Sequence, residues 1–209
     1  MIGRRFGVLL TLALFACGAA AHEDHDAKDA RRLIAALDAA PGSVLADVGA
    51  GPDAPLTLPI ARHVGPSGRV YATELEDEDG TLAKLRDTID KAGADNIAVV
   101  EGHPSRTNLP PACCDGIFMR NVYHHIADQE AMNASLSEAL KPGGRLAVLD
   151  FQPRRRGSDS PDRDGGGLHG IAADSVAKEL SAAGFEVVVT EIREHGEFLV
   201  VARKSGATR

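Results

Sequence analysis

A glycine-rich turn and an acidic residue at the end of the following strand are the residues best suited to holding a ligand. The turn is Asp47-Val48-Gly49-Ala50-Gly51, it comes directly after an apolar stretch, and Glu74 ends the next such stretch. Glycine lets a backbone turn sharply and approach a ligand closely, and a carboxylate at the second position can accept hydrogen bonds from both hydroxyls of a ribose. The pair predicts a cofactor of the adenosine type, with a tight turn that binds nothing as the alternative.

Histidines are the second group of residues suited to chemistry. His124 and His125 follow the fourth predicted strand, and His169 follows a charged loop. Because imidazole accepts a proton near neutral pH, we expect His124 to act as a general base, with His125 as the second candidate and His169 closing over a substrate. The alternative is that one of the adjacent pair packs against the sheet edge and the other is solvated. No histidine or cysteine spacing typical of zinc is present, so no metal site is predicted.

The elements that position these residues alternate between strand and helix. Short apolar strands are predicted at 44–48, 69–73, 97–100, 115–119 and 145–150, and a hairpin at 187–192 and 197–202 closes the chain. Helical spacing of apolar residues predicts helices over 26–40, 56–64, 82–93, 128–140 and 174–183, the last capped by Asp174. This order predicts an α/β fold, Rossmann-like and doubly wound, with a mostly parallel seven-stranded sheet and a C-terminal antiparallel hairpin.

Composition narrows the class of protein and of partner. Hydrophobic residues make up 44% of the 209-residue chain but aromatics only 4%, so the core must consist of aliphatic side chains, as in a buried parallel sheet. The net charge of −7 argues against a general nucleic-acid binder and leaves a small-molecule substrate. Cys113 and Cys114 are adjacent, a spacing that disulfide geometry disfavours, so we expect no bridge.

The N-terminus has the layout of an export leader. Arg4 and Arg5 precede an apolar run and then a small, alanine-rich stretch, which predicts a signal peptide over 1–21. Cys17 is the candidate for a lipid anchor. A polar linker over 22–29, a domain over 30–203 and a tail over 204–209 complete the expected organisation. The chain is then periplasmic or a membrane-anchored lipoprotein, with an uncleaved cytoplasmic form as the alternative.

Several segments together resemble the class I S-adenosyl-L-methionine (SAM)-dependent methyltransferases. The 47–51 turn resembles their first motif, and Leu140-Lys141-Pro142-Gly143-Gly144-Arg145-Leu146 resembles their turn into the fifth strand. Further parts of the same family, in the same order along the chain, are resembled by the segments 69–74, 115–119, 121–126 and 183–185. The resemblance covers roughly residues 30–203 and implies a methyltransferase that uses SAM.

The resemblance also implies roles for individual residues. Asp47, Gly49 and Gly51 are expected around the methionine end of SAM, Glu74 at the ribose and Leu75 against the adenine. His103 stands where relatives carry an acid near the adenine amino group, and a neutral imidazole can accept that hydrogen bond. Asn121, after the fourth strand, completes the expected cofactor-binding set.

Two alternatives to an active methyltransferase remain at this stage. Asp53 stands where the family has a third glycine and would crowd the ligand, and SAM is a cytoplasmic compound; both observations favour an exported, methyltransferase-like binding protein without catalysis. Residues 49–54 also fit the dinucleotide pattern G-x-G-x-x-A, which leaves an NAD-linked oxidoreductase as the other alternative.

Overall fold

The computed structural model describes residues 25–155 and 168–206. The predicted leader over 1–21 with Cys17, most of the charged 153–167 loop and the end of the tail lie outside the described residues. Within the described ranges, no helix combines the length and the apolar character needed to cross a membrane.

Seven strands form one sheet, as predicted. They are β1 (Val44–Val48), β2 (Arg69–Glu74), β3 (Ile97–Glu101), β4 (Cys114–Arg120), β5 (Leu140–Phe151), β8 (Phe185–Ile192) and β9 (Glu197–Lys204). The strand order is β3-β2-β1-β4-β5-β9-β8, parallel as far as β5 and antiparallel at β9 and β8. The chain reverses its direction of winding between β1 and β4, and ligands in such sheets bind beside that reversal at the carboxyl ends of the strands.

Helices cover both faces of the sheet. They are α1 (25–37), α2 (Thr57–Val64), α3 (Thr81–Ala92), α4 (Gln129–Ala139) and α5 (Ala173–Ala182). Leu33 of α1 and Ile60 of α2 join one buried apolar cluster, and Leu136 of α4 and Leu180 of α5 join another. The aliphatic side chains that the composition demanded therefore fill two layers, one on each side of the sheet.

The first helix begins earlier than the predicted domain boundary. Residues 25–29, expected at the end of a polar linker, form the first turns of α1. The reason is an ion-pair cluster that sequence spacing does not reveal: Arg120, at the end of β4, binds the carboxylates of Asp26 and Asp29. Two polar residues of the segment predicted as a linker, Asp26 and Asp29, thus attach α1 to the end of β4.

Helix capping differs between α4 and α5. Asp128 precedes α4 and its carboxylate accepts a hydrogen bond from the Ala131 N–H at 3.0 Å. The predicted cap by Asp174 is wrong, because Ala172 occupies the N-cap position and Asp174 lies inside the first turn. A carboxylate in the first turn still interacts favourably with the positive end of the helix dipole.

Two local features depart from the predictions at the start of β4 and beyond β5. Cys113 and Cys114 form a disulfide between neighbours, which corrects the expectation that they are not bridged. Arg154–Arg155 (β6) pairs with Leu168–His169 (β7), so the two ends of the charged loop form a short antiparallel ribbon. This ribbon fixes the position of the His169 backbone next to the end of β5.

Candidate active site

The glycine-rich turn is held against the end of β2. The N–H groups of Gly49 and Ala50 both donate to the Thr73 carbonyl at 3.0 Å. Gly49 has φ of +77°, and a Cβ at this position would lie 2.5 Å from Cγ2 of Val122. Only glycine satisfies both the backbone angle and the close approach, so the turn keeps the conformation that the motif predicted.

Glu74 joins this turn to the second strand. Its Oε2 accepts a hydrogen bond from the Gly51 N–H at 2.8 Å, and its Oε1 accepts one from the Leu75 N–H at 2.9 Å. A carboxylate offers about four acceptor positions, so each oxygen can also accept from a ligand hydroxyl. Glu74 and the glycine-rich turn are therefore in direct contact, and the Glu74 carboxylate can still accept further hydrogen bonds.

A cavity of about 360 Å³ opens above the turn at the carboxyl ends of the strands. Of the predicted site residues, five line it: Gly49, Glu74, Leu75, His103 and His125. Apolar side chains supply much of the remaining wall, among them Val122, Ile126 and Met132. A carboxylate at one side and apolar walls elsewhere suit a ligand that carries both a ribose and a flat heterocycle.

Asp47 lies beneath the turn and is not part of the described cavity lining. Its side chain is buried, and its Oδ2 accepts a hydrogen bond from the Thr57 hydroxyl at 2.6 Å. Burial raises the pKa of Asp47 to about 7, although the Thr57 hydrogen bond and the charge of Arg120 act in the opposite direction. In this structure Asp47 connects β1 to the start of α2.

His103 lines the cavity, but it offers a hydrogen-bond donor where an acceptor was expected. Its Nδ1 accepts a hydrogen bond from the Ser105 N–H at 3.2 Å. A neutral imidazole that accepts at Nδ1 carries its proton on Nε2. The ring therefore presents a donor, which suits an acceptor nitrogen of a heterocycle, whereas the acid carried by relatives would accept from an amino group.

The described cavity lining includes neither Asn121 nor Asp53. Asn121 has φ of +57°, a conformation that asparagine tolerates better than most residues, and its N–H donates to the Leu149 carbonyl at 2.9 Å. Asp53 is exposed, and the buried Ala54 follows it with φ of +49°. The Asp53 side chain, which was expected to crowd the ligand, is thus exposed and outside the described cavity lining.

The three histidines come together at the other end of the site, with a partner that sequence reasoning missed. His124 is buried, and its Nδ1 lies 2.8 Å from Oδ1 of Asp150. His124 Nε2 lies 3.1 Å from His169 Nε2, and the rings of His124 and His125 have centroids 3.9 Å apart. One feature of the sequence could have identified Asp150 as a site residue. It is an acidic residue at the carboxyl end of a predicted parallel strand, which is the edge of the sheet where such sites form.

The amino-acid sequence matches known methyltransferases over the part that carries the glycine-rich turn, Glu74 and the adjacent histidines. Residues 46–148 match the family model described as a methyltransferase domain. The chain is therefore similar to this family over about half of its length. It is 31% identical, over 111 residues, to the ubiquinone/menaquinone biosynthesis C-methyltransferase UbiE of Ectopseudomonas mendocina, covering 53% of this chain and 43% of that relative. It is 33% identical over 112 residues to the protein of the same name from Stutzerimonas stutzeri, so the matches span less than half of these relatives.

Solved structures confirm the predicted fold. A SAM-dependent methyltransferase from Aquifex aeolicus superposes with a TM-score of 0.70 at 23% identity, covering 84% of this chain and 89% of that one. The [4+2]-cyclase SpnF superposes with a TM-score of 0.71 at 18% identity, covering 86% and 81% of the two chains. The predicted class I methyltransferase fold is thus confirmed, and the NAD-linked oxidoreductase and the non-catalytic binding protein are not favoured.

Proposed function

We propose that this protein is a SAM-dependent methyltransferase acting on a small-molecule acceptor. The observation that carries the proposal is the contact between Glu74 and the glycine-rich turn at the edge of the 360 Å³ cavity. A carboxylate fixed by two backbone N–H groups is already in place for a ribose, so the ligand does not have to pay for ordering it.

The cofactor is S-adenosyl-L-methionine, and the residues present fit it. Glu74 would hold the ribose hydroxyls, Leu75 would pack against the adenine, and the Nε2–H of His103 would donate to a ring nitrogen. Gly49 lets the backbone approach the cofactor where any side chain would collide with Val122. SAM supplies an activated methyl group on a sulfonium, and the contribution of this chain is to align donor and acceptor and to exclude water.

The acceptor lies at the histidine end of the cavity. His125 lines the cavity directly, and His124 lies behind it with its Nδ1 bound to Asp150. The relatives named above are C-methyltransferases, which supports carbon as the acceptor atom. Methylation of carbon releases a proton, and the general-base candidates for it are His125, which lines the cavity, and His124 behind it.

Calorimetry with SAM and a Glu74→Gln variant tests the cofactor site. An amide cannot accept through both of its terminal atoms, and hydrogen bonds to charged groups contribute about 1.5–3 kcal/mol each. We therefore expect Glu74→Gln to weaken SAM binding by about 10-fold or more. Glu101→Gln is the matched control, because Glu101 pairs with Glu74 in the β2–β3 register but does not line the cavity.

Three outcomes of this experiment have distinct meanings. Absence of SAM and S-adenosylhomocysteine binding to the wild-type protein would contradict the proposal, and NAD binding in their place would revive the oxidoreductase. Equal losses in the two variants would show that Glu74 acts only through the fold. SAM binding without methyl transfer to any of a broad panel of small molecules, scored by mass spectrometry, would favour the non-catalytic binding protein.

A further inference from the structure

Three imidazole rings from two separate elements converge beside the cofactor cavity. His124 and His125 belong to the single 3₁₀ turn Tyr123–His125 after β4, and His169 belongs to β7. One ring nitrogen from each residue lies within 4.8 Å of the other two. The sequence predicted no metal site, because the third histidine is separated from the other two by two strands, a helix and a charged loop.

Asp150 determines which nitrogen of His124 faces this cluster. The Asp150 carboxylate is fully buried and has N–H donors from His124 and Phe151 directed at it, at 3.2 Å and 2.9 Å. The two carboxylate oxygens also lie 2.8 Å and 3.1 Å from His124 Nδ1. With Nδ1 bonded to Asp150, Nε2 is the ring nitrogen of His124 that faces His169.

Two features of this arrangement are those of a metal-binding histidine cluster: the carboxylate partner of His124 and the short distance between His124 and His169. Metal-bound histidines usually donate their other ring N–H to a carboxylate, as His124 does to Asp150. Two nitrogens at about 2.0–2.1 Å from a tetrahedral zinc ion are about 3.4 Å apart, and His124 Nε2 and His169 Nε2 are 3.1 Å apart.

We propose that His124, His125 and His169 bind one divalent metal ion of the zinc class next to the cofactor cavity. Imidazole ligands select borderline ions such as Zn²⁺ over Mg²⁺ or Ca²⁺. Three protein ligands leave a fourth position for water or for an atom of the acceptor. In the metal-bound protein the three lone pairs are coordinated, so the general-base role proposed above for His124 and His125 belongs to the metal-free protein. In the metal-bound protein a water molecule at the fourth position is the group left to take a proton. The inference goes beyond the proposed methyl transfer and does not depend on it.

Metal titration of untagged, chelator-treated full-length protein tests this site. We expect one equivalent of Zn²⁺ by calorimetry and a tetrahedral visible spectrum with Co²⁺. His125→Ala and His169→Ala should each weaken Zn²⁺ binding by at least about 100-fold, and Asp150→Asn by about 10- to 100-fold with the Co²⁺ spectrum retained. The retained spectrum separates a positioning role of Asp150 from loss of the fold.

Two control variants and one independent measurement keep the test decisive. His63→Ala removes an exposed histidine outside the cluster and should leave binding unchanged. His25→Ala removes another histidine outside the cluster, near the N-terminus, and should also leave binding unchanged. Circular dichroism checks that each variant is folded. The proposal is overturned if folded wild-type protein binds no stoichiometric Zn²⁺, if His125→Ala and His169→Ala bind as well as wild type, or if His25→Ala removes the binding. SAM calorimetry on the metal-free protein reports on the methyltransferase proposal separately.

Discussion

At the scale of single residues, a residue that belongs to a sequence motif can have a different chemical role from the one that the motif predicts. Asp47 belongs to the motif that predicted the cofactor, yet it is buried under the turn and bonded to Thr57. His103 lines the cavity as predicted, yet Ser105 makes it a donor where an acceptor was expected. In both cases the neighbour that changes the role lies in a loop or helix start whose position the motif does not specify.

Asp47 makes the stability of the protein depend on pH. Because burial raises the pKa of Asp47 from 3.8 to about 7, the folded state retains a proton that the unfolded chain has already lost. The contribution to stability is complete below about pH 4 and is lost as pH rises to about 7. Asp47→Asn keeps an oxygen that can accept from Thr57, and we expect it to raise the free energy of unfolding by about 3 kcal/mol at pH 8 and by much less at pH 4.

Urea unfolding of the cofactor-free protein at several pH values measures this effect. Asp53→Asn, which neutralises an exposed carboxylate of the same turn, serves as the control and should leave the profile unchanged. A pH profile for Asp47→Asn that runs parallel to that of the wild type would show that Asp47 is not the titrating group.

At the scale of elements, polar contacts decide how α1 joins the rest of the domain. The apolar side chains Leu33 and Leu37 pack into the core, while Arg120 holds the first turn through Asp26 and Asp29. Burial disfavours the charge of Arg120, but the bonds to the two carboxylates outweigh it and raise the pKa of Arg120. The helix is therefore attached at both an apolar face and an ionic end.

Arg120→Met tests the ionic attachment of α1. The substitution removes the cation that binds the buried carboxylate of Asp29 and that of Asp26, and breaking a largely buried ion pair in this way is strongly destabilising. We expect a loss of about 2–3 kcal/mol in the free energy of unfolding and faster proteolysis within 25–37.

An exposed ion pair provides the comparison for Arg120. Arg203, on β9, binds Glu186 with both side chains about half exposed, and Arg203→Met should cost no more than about 0.5 kcal/mol. Equal stability losses in Arg120→Met and Arg203→Met would show that burial of the Arg120 cluster contributes nothing.

At the scale of the whole molecule, the fold and the predicted leader point to different compartments. The fold is that of SAM-dependent enzymes, whereas Arg4, Arg5 and the apolar run after them are typical of an exported chain. We propose that the chain is exported, and we expect the mature protein to begin either near residue 22 or at a lipidated Cys17.

Mass spectrometry of the protein from separated cell fractions measures this outcome. Cys17→Ser distinguishes the two routes, because it removes a lipid mass if Cys17 is the anchor and changes nothing if cleavage occurs after the alanines. A cytoplasmic protein that retains residues 1–21 would contradict export.

The amino-acid sequence by itself determined the order of strands and helices and the contact between the glycine-rich turn and Glu74. Apolar periodicity is a local property, and β1 and β2 are neighbours joined by a single helical connection, so the parallel register brings Glu74 to the turn. The right-handed connections of a doubly wound sheet then leave few other arrangements.

Only the tertiary structure decided which polar groups act together. Asp150 contacts His124, His169 lies beside both adjacent histidines, and Arg120 binds residues from the start of α1. In each case the partners are too far apart in sequence for a local pattern to link them. The physical reason is that hydrophobic periodicity specifies which side of an element is buried, whereas the direction of a hydrogen bond or an ion pair depends on where several packed elements end in space.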